Sequence, residues 1–137
     1  MRFVMMFAFS LVAAGAALGQ SAGNERTVWD GVYSNVQAKR GEATYISKCS
    51  DCHDGGVMAP ALDGFDFRAE WENKRVGALY RLIHTTMPAD APGDLKEREV
   101  LDLIAYVLQA NGFPAGDQAI DDATALDGIA FVGRKTP

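Results

Sequence analysis

The chain has 137 residues, 48% hydrophobic and 23% charged, with a formal net charge of −5. That length points to one domain rather than two, and the acidic balance argues against nucleic acid or anionic membrane surfaces as partners. The two cysteines alone would suggest a disulfide, but Cys49 and Cys52 are followed at once by His53, which changes the reading.

The N-terminus has the form of an export signal. Arg2 is a short positive region, residues 3–18 are apolar apart from Ser10 and Gly15, and Ala17 and Gly19 are the small residues of a cut before Gln20. The run is shorter than the roughly 20 apolar residues that span a bilayer, so a cleaved signal over residues 1–19 is expected rather than an anchor. Export then places the mature protein in the periplasm. Residues 20–33 read as an N-terminal arm, flexible through about Val28, with the aromatic run from Trp29 lying across the domain surface.

A helical pattern begins at Ser34, with Val36, Arg40, Ala43, Tyr45 and Ile46 alternating with polar residues up to Cys49. Residues 54–70 read as loop, with Gly55-Gly56, Pro60 and Asp63-Gly64. A second helix is predicted over 74–83, its face formed by Val76, Leu79, Tyr80 and Ile83, and a loop over 85–93 follows. The strongest pattern covers 95–109, with Val100, Leu103, Ile104 and Val107 in one stripe and Asn111-Gly112 and Pro114 as the stop. Residues 113–137 form a tail with some apolar content, including Ile120, Leu126, Ile129 and Phe131. No repeat and little period-two alternation occur. The expected domain, 34–112, is therefore all-α, with three or four short helices, and its thin core calls for a covalent or cofactor staple.

Cys49-Ser50-Asp51-Cys52-His53 is the attachment signature of a c-type haem. On a helical turn, residues three and four apart share one face, so both thiols reach the haem vinyl groups while the imidazole of His53 turns to the iron. A thioredoxin-like dithiol would follow a strand rather than a helix. Structural zinc needs four ligands, and His84 is the only other histidine. For the sixth iron position the candidates are Met87, Met58 and His84. Met87-Pro88 lies in a loop between two predicted helices that can fold back over the haem, whereas Met58 is too near His53 and His84 falls near a helix end. Met87 is the expected ligand, and a His/Met pair favours electron transfer over catalysis. Its bland alternative is a core methionine.

Over residues 38–112 the chain resembles the class I cytochromes c. Gly41 and Tyr45 have the spacing with which that family's first helix crosses its last, and Leu103 and Tyr106 would be their partners. The resemblance implies that the Pro60 carbonyl accepts the Nδ1 proton of His53, that Leu62 packs on the haem, and that the fold wraps one covalent haem. A closer similarity is to cytochrome domains serving periplasmic quinoprotein dehydrogenases, carried by Trp29-Asp30-Gly31-Val32-Tyr33, Gln37-Ala38-Lys39-Arg40-Gly41, Thr86-Met87-Pro88 and Asn111-Gly112-Phe113-Pro114. It implies a separate electron acceptor or a subunit, not the dehydrogenase itself. Trp71 has two readings, an indole that hydrogen-bonds a haem propionate or a core aromatic. The expected function is a one-electron carrier, not an enzyme, taking electrons from a dehydrogenase and passing them to an oxidase or another cytochrome. The alternatives are a haem-bearing subunit of a larger complex, suggested by the long tail, and a small haem catalyst with an open sixth site.

Overall fold

Five helices and one pair of two-residue strands make up a computed structural model that describes residues 25–133. The signal reading of residues 1–19, the arm through residue 24 and the last four residues of the tail lie outside the described residues. The strands are β1 (Arg26–Thr27) and β2 (Ile129–Ala130), and the helices are α1 (Asn35–Lys48), α2 (Ser50–His53), α3 (Gly64–Trp71), α4 (Val76–Thr86) and α5 (Glu97–Ala110). The expected all-helical class holds.

The crossing of α1 and α5 is the frame. A Cβ on Gly41 would lie 1.9 Å from the carbonyl oxygen of Asp102, so only glycine lets the two backbones meet. Next to the contact, Arg40 holds the buried Asp102 carboxylate with two hydrogen bonds of 2.8 Å. One turn further on, the rings of Tyr45 and Tyr106 pack with centroids 4.9 Å apart.

Local chemistry sets the helix ends. Ser34 Oγ caps α1 by accepting from the Gln37 N–H. The Lys96 N–H donates to the Glu99 carboxylate at 2.9 Å, which starts α5 at Glu97 rather than at the expected Leu95. The hydroxyls of Thr85 and Thr86 donate to the carbonyls of Arg81 and Leu82, and α4 runs on to Thr86 instead of ending at Ile83.

The loop expected over 54–70 requires correction, because α3 occupies its second half. Asp63-Gly64 reads as a turn signal, but Asp63 has the extended backbone of an N-cap and Asp66 stands in the first turn, where the helix dipole favours an acid. Phe67 is the only residue α3 buries, too few for a visible period.

The arm also departs from expectation. From Arg26 it is ordered, since β1 pairs in parallel with β2 and the Val28 N–H donates to the Ala130 carbonyl at 3.0 Å. Val32 and Tyr33 are buried rather than spread over the surface, and the Tyr33 hydroxyl donates to the Phe113 carbonyl at 2.6 Å. The tail returns the contact. Phe113, Ile120, Leu126, Ile129 and Phe131 are buried in the same core as α4 and α5. The buried Gln37 amide holds both the N–H and the carbonyl of Ile120 at 2.8 Å, so a polar core residue is fully used. Arm and tail together thicken the core that the helices alone would leave thin. Among the described residues no helix is long and apolar enough to cross a membrane.

Candidate functional site

The end of α1 delivers the cysteine motif. Cys49 terminates α1, its N–H bonded to the Tyr45 carbonyl at 2.8 Å, and its own carbonyl accepts from the N–H groups of Cys52 (3.2 Å) and His53 (3.0 Å). One turn thus presents both thiols and the imidazole. Neither cysteine is in a disulfide. Burial, and secondarily the neighbouring Cys52, push the Cys49 thiol above its ordinary pKa. A helix rather than a strand precedes Cys49, unlike the context of a thioredoxin-like dithiol. No group of three or more His, Cys, Asp or Glu side chains suited to a metal ion occurs among the described residues, which leaves the structural-zinc reading without a ligand set.

After His53 the backbone reverses through Gly55 and Gly56, both left-handed at φ 70° and 66°. The reversal brings the Ala59 N–H to the Cys52 carbonyl at 3.0 Å and the Pro60 carbonyl to within 2.6 Å of His53 Nδ1. A carbonyl only accepts, so Nδ1 carries the proton and Nε2 keeps its lone pair free to bind a metal. Leu62 follows, half-buried.

Two side chains from the frame hold this loop. Tyr45 donates its hydroxyl to Asp54 at 2.8 Å; burial first, and the bond to Asp54 second, push the phenol well above its ordinary range. Asn111, 5% exposed at the end of α5, donates Nδ2 to the carbonyls of Leu62 (2.9 Å) and Val107 (2.8 Å). Its Oδ1 is buried without a hydrogen-bond partner. Neither tie is readable in the sequence, where Asn111 is a helix stop and Tyr45 a helix-crossing aromatic. The partner of each lies on another element. A cleft of about 160 Å3 beside His53 is lined by Tyr45, Asp54, Leu62, Asp63 and Tyr106 among others.

Met87 and Trp71 lie outside that cleft. Met87 caps the C-terminus of α4, its N–H on the Ile83 carbonyl at 3.0 Å, and packs half-buried against the core ahead of a cis bond to Pro88. Trp71 packs with Phe67 and Phe131 at centroid distances of 6.0 and 5.9 Å, with the Lys74 ammonium 5.2 Å from its ring. His84 stacks on Tyr80 at 5.3 Å, and Met58 is 75% exposed.

The donor set fits a covalently held haem: two unbridged thiols on one turn, an imidazole with only Nε2 free, and a methionine ending a helix. Neither the curated proteins nor the solved structures contain a match to the chain. The family described as cytochrome c oxidase, cbb3-type, subunit III matches residues 36–107, just over half of the chain and the whole span from α1 through most of α5. The chain therefore belongs to this family of class I c-type cytochrome domains, and haem-based electron transfer between redox proteins comes with that membership.

Proposed function

We propose that the protein is an exported carrier of single electrons with one haem, joined through Cys49 and Cys52 and held at iron by His53 Nε2 and Met87 Sδ. When bound, the haem supplies an iron that cycles between ferric and ferrous states. The observation that carries the reading is the 2.6 Å contact of His53 Nδ1 with the Pro60 carbonyl. It fixes the tautomer, aims Nε2 and makes the imidazole a stronger donor. Met87 would supply its thioether to the iron and keep small molecules from it, an arrangement that suits a carrier rather than an enzyme. Leu62 and the half-buried Trp71 shield the cofactor from water, and Trp71 is the proposed propionate donor. The donor is a periplasmic dehydrogenase, and the acceptor an oxidase or a second cytochrome.

Optical spectra of periplasmically expressed protein, before and after acid-acetone extraction, test this. Haem that stays with the protein, with a weak near-infrared band of iron–methionine charge transfer in the oxidised form, is the expected result. Haem retained without that band, and rapid uptake of carbon monoxide, would move the function to catalysis or sensing. Loss of the haem would overturn the reading.

A second reading has its own support, because the family is described as an oxidase subunit. In it the same haem lies within a multi-component complex. Co-purification of the tagged protein with oxidase subunits from its native membranes selects this reading, and a free monomer selects the first.

A further inference from the structure

The amide of Asn111 is held in a way that folding alone does not explain. Its side chain is buried, and Nδ2 donates one proton to the Val107 carbonyl on its own helix at 2.8 Å and the other to the Leu62 carbonyl at 2.9 Å. Carbonyls only accept, so the orientation of the amide is fixed and its oxygen is the atom left over. That Oδ1 is buried with no hydrogen-bond partner, a cost that an apolar residue of similar size would not carry. The Val107 carbonyl is served even without the side chain, since the Asn111 backbone N–H donates to it at 3.1 Å. The bond to Leu62 is what an apolar residue could not supply.

Leu62 ends a short stretch that begins with Pro60. The Pro60 carbonyl stands 2.6 Å from His53 Nδ1, and the proline ring fixes its own φ, so the place of the Leu62 carbonyl limits where the Pro60 carbonyl can lie. Packing does not hold this stretch. No residue from 49 to 66 is buried, and Leu62 and His53 both line the cleft. Among the described residues, the Asn111 bond is the one hydrogen bond from the α1–α5 frame onto residues 59–62. The other two, from the Ala59 N–H to Cys52 and from His53 to Pro60, start and end within the cysteine segment. Tyr45 holds Asp54, on the near side of the reversal.

We propose that Asn111 is a positioning residue for the axial histidine: through Leu62 and Pro60 it fixes the hydrogen bond on His53 Nδ1 and thereby lowers the reduction potential of the haem. The proposal rests on the carrier function above and concerns how that function is tuned. A firm Nδ1 bond makes the imidazole a stronger donor, and a stronger donor favours ferric over ferrous iron. The second Nδ2 bond, to Val107, anchors the amide on α5, so the loop comes to the helix and not the reverse. Without that anchor the Pro60 carbonyl is free to draw back from Nδ1, the imidazole donates less, and the ferrous state gains.

The test uses the haem-loaded protein and Asn111→Leu, which is similar in size but has neither the donor nor the orphaned oxygen. Spectroelectrochemistry gives the midpoint potential, and proton NMR of the ferrous protein gives the exchange of the His53 Nδ1 proton with solvent. Asn111→Leu is expected to raise the ratio of ferrous to ferric iron at a fixed applied potential about threefold, or about 30 mV at 59 mV per tenfold for one electron. It should also speed Nδ1 exchange about tenfold, while the denaturation midpoint stays near that of the parent. Should the leucine variant not fold, Asn111→Ala reads the same two quantities. Ile120→Val, a small defect in the buried tail, is the control for destabilisation alone and should move neither. A potential or an Nδ1 exchange rate that stays at the parent's value in the folded Asn111 variants, or an equal shift from Ile120→Val, overturns the positioning role and leaves the carrier function intact. A parent that retains no haem, or whose haem takes up no electron, would defeat the carrier function instead.

Discussion

Between residues 49 and 66 no side chain is buried, whereas between residues 100 and 108 Tyr106 alone is not. The two regions are neighbours in space, yet different forces hold them. α5 is fixed by close packing on α1, the tail and α4. The cysteine segment hangs from that frame by a few polar ties: Tyr45 to Asp54, Asn111 to Leu62, Ala59 to Cys52 and His53 to Pro60. Defects in the frame therefore remove the fold, and defects in the ties move the site while the fold survives.

The largest effect tests whether the tail belongs to the frame. Ending the chain after Gly112 deletes Phe113, Ile120, Leu126, Ile129 and Phe131 from the core. Each such side chain contributes about 1.5–3 kcal/mol on burial, and their sum matches the roughly 5–15 kcal/mol by which a domain is stable at all. The truncated protein is expected to lack a cooperative thermal transition even with haem attached. A sharp transition near that of the full chain would show that the tail is dispensable and the comparison misdrawn.

Gly41→Ala comes next. Its methyl carbon would fall 1.9 Å from backbone at Asp102, and backbone cannot rotate away as a side chain can. Separating α1 from α5 is expected to cost about 3 kcal/mol, read as a lowered denaturation midpoint. A loss below about 1 kcal/mol would show that the crossing can slide.

Asn111→Ala addresses a tie. It removes hydrogen bonds to Leu62 and Val107, worth about 1 kcal/mol each, but also the buried Oδ1 that has no partner, so the net loss is expected near 1 kcal/mol. The distinguishing readout is local. Amide exchange should accelerate around residues 59–63 while α5 keeps its protection, and the midpoint potential should shift because Pro60 no longer holds His53 as firmly. Uniform acceleration across α5 would place Asn111 in the frame.

The contrast also explains what could be read in advance. The attachment motif, Gly41 with Tyr45, and the stripe of Val100, Leu103, Ile104 and Val107 are local patterns, and each encodes its own structure. α3 stayed hidden because one buried residue, Phe67, makes no period. The arm reads as flexible because its polar residues conceal a strand whose partner stands about a hundred residues later in the chain. The orphaned oxygen of Asn111 and the bond from Tyr45 to Asp54 needed the third dimension outright.

The last effect, no larger than that at Asn111, is at Tyr45, where frame and segment join, and its pH dependence carries the information. Tyr45→Phe keeps the ring against Tyr106 and removes the hydroxyl bonded to Asp54, a loss of about 1 kcal/mol at neutral pH. In the folded protein the phenol titrates above its ordinary value of 10.0 because it is buried and donates to Asp54. The unfolded chain therefore releases this proton first, and the stabilisation is complete below pH 10 and declines as the pH rises beyond it. Tyr33, Tyr80 and Tyr106 are also raised, so parent and variant both weaken in alkali. The difference between them isolates Tyr45. Denaturant titrations from neutral pH to about pH 11 should show the gap narrowing as the parent loses what the variant never had. A gap that stays constant or widens would mean that the phenol ionises as easily folded as unfolded, and that the bond to Asp54 does not tie the cysteine segment to α1.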